Sequence, residues 1–252
     1  MTQPKVLDLF SGEGGAGHGY HLAGCDSYAV EWEDKRALNY PYAVTVRNVF
    51  DVLNELLDGE QVAFWKGDEY ELLGIGDFNL IHASPNCQGY SISTSALPNR
   101  FDRYDRWIAR TRAQLIETGL PYVIENVMGA KSELINPIML CGRMFDLGAI
   151  DDDDTPLVLD RHRLFELSPD IRDRVIVPDH PRHSRDDQVA GVYGGARRDK
   201  YEARHIRKGG YVPPNIAVLR ELIGAEWMSE QGLFLSIPPA YTEYIGKAII
   251  DA

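Results

Sequence analysis

The sequence predicts an α/β fold built on a mostly parallel, doubly wound sheet with a smaller inserted region. Three observations carry this. Short apolar runs of strand length recur along the chain, a glycine-rich turn follows the first of them, and helix-period segments separate the rest. The chain has 252 residues, enough for one large domain or one domain with an insertion.

Lys5 to Phe10 (KVLDLF) is the first strand, and it runs into SGEGGAGHG. Tyr20 to Ala23 reads as helix and Ser27 to Glu31 as a second strand. Phe78 to Ala83 (FNLIHA) is a further buried strand, ending in the Pro, Asn and Gly loop SPNCQGYS. Ile108 to Glu117 has helical spacing, and Pro121 to Ile124 reads as a strand closed by Glu125-Asn126. Arg161-His162-Arg163 opens an alternating strand pattern that would put both arginines on one face. Between Ser168 and Pro214 apolar periodicity fades and Pro, His, Arg, Asp and Gly dominate. Helical character returns at Ile216 to Ile223, and a last helix is expected over Tyr241 to Ile250 after the Pro238-Pro239 pair. The expected units are therefore residues 1–167, 168–214 and 215–252.

Composition is that of an ordinary soluble protein, 44% apolar and 25% charged. No apolar stretch is long enough to cross a membrane, and the first residues lack a signal-peptide layout, so a cytoplasmic location is expected. Cys25, Cys87 and Cys141 are too sparse for a disulfide framework and argue against a structural zinc site; no metal is expected. The net charge of −12 speaks against nucleic acid as a partner. The charge is uneven, however. Asp151 to Asp154 form an acidic run, whereas Arg197, Arg198, Lys200, Arg204, Arg207 and Lys208 form a basic cluster, which is either a local phosphate-binding patch or a solvated loop.

Two cofactor readings of the glycine turn stand side by side. Gly12 to Gly17 matches G-x-G-x-x-G, with Glu31 about 20 residues beyond Gly12, where a carboxylate would meet ribose hydroxyls; this suits a nicotinamide dinucleotide. It also suits S-adenosylmethionine, which has no phosphate for the Glu13 charge to repel. Cys87, in a polar loop past a buried strand, is placed for nucleophilic chemistry, because ligands bind at the carboxyl ends of such strands. Cys25 and Cys141 read as structural.

Taken in order, six segments resemble the cytosine-5 DNA methyltransferase family, including its phage-type members: LDLFSGEGG, Val30-Glu31-Trp32, ASPNCQGYS, VIENV, RHRLFE and IPPAYTEYIGKAI. The resemblance spans nearly the whole chain. It implies a Rossmann-like methyltransferase fold, S-adenosylmethionine as methyl donor and double-stranded DNA as partner, in a monomer. By resemblance Cys87 adds to carbon 6 of a flipped-out cytosine, Glu125 protonates N3, and Arg163 with Arg161 holds O2. Phe10, Gly12, Gly14, Glu31, Trp32 and Pro85 would line the cofactor site, with Asn48 or Asp51 meeting the adenine. The 168–214 region would read the target through its basic cluster. Asn86 replaces a usual proline before the cysteine, Leu159 a usual glutamine, and Phe234-Leu235 a usual Gly-Asn. A dinucleotide oxidoreductase, a silent DNA-binding relative and a tRNA cytosine methyltransferase are the rival readings.

Overall fold

The structure is a computed structural model that describes residues 3–91, 104–184, 186–194 and 211–250. Among the described residues, its large sheet has nine strands. In chain order the strands are β1 (Lys5–Leu9), β2 (Asp26–Glu31), β3 (Ala43–Val46), β4 (Val62–Lys66), β5 (Glu69–Leu73), β6 (Leu80–Ala83), β7 (Tyr122–Asn126), β8 (Ile138–Leu140) and β11 (Arg163–Leu167). Their spatial order is β5-β4-β3-β2-β1-β6-β7-β11-β8. The five central strands, β3 to β7 across the middle, are parallel, and the flanking pairs are antiparallel. The strand order reverses between β1 and β6. That is the crevice where doubly wound sheets bind ligands, and both the glycine turn and the Cys87 loop open onto it.

Parallel strands buried on both faces read as continuous apolar runs, and here each face has its own core. Leu7, Leu9, Val30, Ile81 and Ile124 pack under α3 (Val49–Leu57) and α4 (Ile108–Glu117). Val6, Leu80, Val123 and Phe165 pack under α1 (Gly15–Leu22) and the last helix, Pro239–Ile250. Two short helices, α2 (Asp34–Ala37) and α5 (Pro169–Arg172), sit at loop ends.

The small sheet, β12-β10-β9, draws on both sides of residue 168: β9 is Gly148–Ile150, β10 Pro156–Leu159 and β12 Gln188–Ala190. Its core is completed by α6 (Ile216–Ile223) and α7 (Glu230–Leu235). Asn215 and Ser229 cap these helices by accepting hydrogen bonds from Ala217 N and Gly232 N, and Gly224 (φ 77°) ends α6. The last helix, α8 (Pro239–Ile250), starts at Pro239, which occupies a first-turn position that needs no N–H. Among the described residues no helix is long and apolar enough to cross a membrane.

Helices α1 and α8 approach at Gly19, where a Cβ would collide with Thr242 Oγ1 and Pro239 O. Alanine gains about 1 kcal/mol of helix propensity over glycine, whereas overpacking costs about 1–3 kcal/mol. Overpacking wins here, because two of the three blocking atoms are backbone. Gly19→Ala should lower the thermal midpoint by roughly 2–8 °C for a loss of about 1–2 kcal/mol; a raised midpoint in a melting experiment would refute the close approach.

Candidate active site at the carboxyl rim of the sheet

The glycine turn begins at Phe10, which leaves the strand with φ 58°. A bulky residue there stores about 1–3 kcal/mol of strain and marks a site where the chain needs that shape. Gly12 (φ 58°) would meet nothing within 4 Å with an added Cβ, so open space lies over it. Gly14 (φ 93°) is instead packed on Tyr40 and Pro41. Glu31, at the end of β2, is buried. Its Oε2 accepts from Gly12 N at 2.8 Å, and its Oε1 from Trp32 N and Glu33 N, both at 3.0 Å. A carboxylate accepts about four hydrogen bonds, so Oε2 keeps capacity beside that open space. The Trp32 indole next to it is 67% exposed. Phe10 stacks on Trp107 at 5.9 Å, an aromatic neighbour the sequence did not flag because it lies just ahead of a helix with no motif of its own. Asn48 spends its side-chain oxygen capping α3 through Phe50 N at 2.9 Å, whereas Asp51 is exposed on the first turn.

The N-terminus of α1 has its own acidic partner. Gly17 N, the third amide of the helix, donates to Asp8 Oδ2 at 3.0 Å. A helix N-terminus is the usual seat of a pyrophosphate; here a buried carboxyl group occupies it. Glu13 does not face the cofactor side as the sequence reading supposed. Its carboxylate accepts from Ser229 N at 2.7 Å and from Ser229 Oγ, and Trp227 Nε1 donates to its backbone carbonyl at 2.7 Å. Glu13 therefore clamps the glycine turn to the start of α7. A partner 216 residues away leaves no local signal in the sequence.

Cys87 sits in a turn beyond β6, where its carbonyl accepts from Tyr90 N and Ser91 N. Asn86 Oδ1 accepts from Gln88 N at 3.0 Å, so the asparagine shapes the loop as an Asx turn. Asn126 Nδ2 donates to Pro85 O at 2.8 Å and ties this loop to the end of β7. Glu125, the neighbour of Asn126, is buried. Because β11 runs antiparallel to β7 with Phe165 opposite Glu125, Arg163 lies two residues away on the same face. Arg163 Nε reaches Glu125 Oε1 at 3.2 Å as an ion pair, yet Oε1 has no hydrogen-bond donor and stays available. Burial pushes the Glu125 carboxyl up, against the pull of Arg163. Burial also pushes the Cys87 thiol up; the Glu125 charge adds to this, and Arg163 and Arg161 oppose it.

Arg161 lies just outside the expected strand, which starts only at Arg163. Its guanidinium is buried and donates to the main-chain carbonyls of Val192, Phe234 and Ser236. Its own carbonyl accepts from Tyr241 Oη at 2.6 Å. Arg197, Arg198, Lys200, Arg204, Arg207 and Lys208 lie outside the described residues.

No protein-family model matches the chain. Over 125 residues, 47% of its length, it is 35% identical to the DNA (cytosine-5)-methyltransferase PliMCI of Paracentrotus lividus. The matched stretch covers 7% of that relative, so the chain spans a small part of its length. This match bears out the resemblance read from the motifs. Three solved structures share the fold. One is a protein described as a DNA modification methyltransferase encoded within an E. coli prophage, with TM-score 0.54 and 17% identity over 99% of both chains. The second is the Entamoeba histolytica methyltransferase EhMeth, with 0.52 and 12% over 100% of this chain and 99% of that one. The third is the S. pombe Dnmt2 methyltransferase, with 0.53 and 13% over 99% of both. The α/β methyltransferase fold expected from the sequence is thus the fold observed.

Asp8 provides a titration test. Burial raises its carboxyl to about 7 from an unfolded value near 3.8, only partly offset by the Gly17 amide and Tyr40. The folded state holds the proton more tightly, so this stabilisation is complete below about pH 4 and is lost as pH rises through about 7. At about 1.4 kcal/mol per pH unit, the loss is on the order of 4 kcal/mol. Asp8→Asn keeps an oxygen for Gly17 N and abolishes the titration. Denaturant unfolding should therefore show wild type losing ground against the variant between pH 4.5 and 8; a constant difference would contradict the assignment.

Proposed function

We propose that the chain is an S-adenosylmethionine-dependent methyltransferase that methylates carbon 5 of cytosine in duplex DNA through a covalent adduct of Cys87. The observation that carries this is the meeting of a half-buried thiol, a buried carboxyl group and an arginine at the carboxyl rim of the sheet, beside the glycine turn. The name of the Paracentrotus lividus relative, matched over 125 residues, supports the reaction and the substrate.

The residues at the glycine turn fit the adenosyl donor. Glu31 offers acceptor capacity toward a ribose, Trp32 and Phe10 offer apolar faces, and the space over Gly12 is open. A dinucleotide fits less well, since the Asp8 carboxyl group holds the amide where its pyrophosphate would bind. When bound, S-adenosylmethionine supplies an electrophilic methyl group.

Carbon 5 of cytosine is too weak a nucleophile to take that methyl group unaided. Cys87, once its thiol has released its proton to solvent, adds to carbon 6 and moves electron density to carbon 5. The negative charge that develops at N3 is met by the Glu125 carboxyl group, whose burial favours its protonated form. Protonation of Glu125 has a second effect: it removes the like charge that opposes the thiolate, leaving the Arg163 and Arg161 fields to favour it. Arg163, paired with Glu125, faces O2 of the base. After methylation carbon 5 gives up its proton to a base, the thiolate leaves by elimination, and the ring double bond returns. A stacked base cannot reach this rim, so the target nucleotide must rotate out of the duplex, at a cost of a few kcal/mol. The basic cluster between 197 and 208 is proposed to grip the DNA.

Incubation with the methyl donor and duplex DNA carrying 5-fluorocytosine should trap a covalent complex, because fluorine cannot leave as a proton does. Cys87→Ser should abolish the complex. Glu125→Gln should slow methyl transfer by about 100-fold or more while leaving DNA affinity within a few-fold. A complex that persists in Cys87→Ser would sink the mechanism, and methylation of tRNA in place of DNA would redirect the substrate.

A further inference from the structure

His162 lies between the two arginines and takes no part in the chemistry above. One ligand atom from each of Cys141, His162 and His180 comes within 4.8 Å of the other two. The Nε2 atoms of His162 and His180 are 3.2 Å apart, with the rings nearly parallel at 8°. His180 Nδ1 lies 2.8 Å from Pro181 O. A carbonyl only accepts, so Nδ1 carries the hydrogen and Nε2 presents a lone pair toward the cluster. A backbone carbonyl on the remote ring nitrogen is the usual support of a metal-binding histidine. Cys141, which follows β8, is buried, and the backbone amides of Arg143 and Arg161 are hydrogen-bonded to its sulfur.

We propose that Cys141, His162 and His180 form a zinc site. Thiolate and imidazole together select a borderline-soft ion. Two nitrogens at about 2.0–2.1 Å from a tetrahedral zinc lie about 3.3 Å apart, which matches the observed spacing of the two rings. The fourth position falls to water or to His183, whose ring centroid is 5.6 Å from that of His180. Zinc there fastens the 161–163 segment to the end of β8 on one side and to the inserted region on the other. The absence of paired cysteines, which argued against zinc in the sequence, does not bear on a site that uses one cysteine and two histidines from distant segments.

The test uses the full chain, purified, stripped of metal and titrated with cobalt(II) alone, then with zinc. Wild type should bind one cobalt per chain with a thiolate-to-cobalt absorption band, and Cys87→Ser should keep that band. Cys141→Ser should lose it. Because Cys141 is buried and its replacement can unfold the chain, His180→Asn, at a half-buried loop position, carries the same test. It should weaken metal binding by about tenfold or more and abolish the rise in thermal midpoint that zinc gives wild type. A cobalt complex without a thiolate band, or equal metal affinity in wild type and His180→Asn, overturns the proposal and leaves a plain His162–His180 hydrogen bond.

Discussion

The Arg161 guanidinium is the interaction on which the rest of the site depends. A buried cation is tolerated only when its donors are satisfied. Here four hydrogen bonds go to three main-chain carbonyls, at Val192, Phe234 and Ser236. The small sheet and the segment leading into α8 are thereby tied to the residues that enter β11. On its other side the same segment meets the glycine turn, where a Cβ on Gly15 would strike Ile237 O. Glu13 adds a second tie to Ser229. The carboxyl rim is thus held between two ends of the chain. Arg163, which reaches Glu125, follows this anchored residue by two positions at the start of β11.

Much of this site was legible in the sequence, because its parts lie where local pattern has physical meaning. A buried parallel strand must be apolar on both faces, and its end must turn. KVLDLF, FNLIHA and PYVI therefore marked their own carboxyl ends, and with them the glycine turn, Cys87 and Glu125. The ends shifted for local reasons. Phe10 leaves β1 because its backbone turns left-handed, and α1 starts five residues before Tyr20, where Gly15 and Gly19 lie close against the C-terminal segment.

What stayed hidden depends on partners far away in the chain. Nothing near Glu13 announces Ser229, and nothing near Arg161 announces the carbonyls it serves. The Arg-His-Arg alternation implied a strand with two arginines on one face, but the ladder starts only at Arg163 and the first guanidinium is buried among main-chain carbonyls. The small sheet was hidden differently. Its strands are three or four residues long, too short for a period to show, and it takes β9 and β10 from before the region whose texture changes. Leu159, which stands where a glutamine is usual, is fully buried in that sheet's core, so its apolar character belongs to packing.

Arg161 recognises atoms that every residue possesses. A contact made to main-chain carbonyls does not read the side chains attached to them, so Arg161 sets no side-chain requirement at 192, 234 and 236, where packing alone does: Val192 is buried in the small sheet's core and Phe234 packs against it. The partner position is different: lysine, with a single rotating ammonium in place of a planar fork, cannot serve three carbonyls in the same way. One side of this joint is therefore fixed by its hydrogen-bonding fork and the other by packing alone. Phe234 lends Arg161 only its carbonyl while its ring packs against the small sheet's core, and Leu235 beside it is left 45% exposed to solvent.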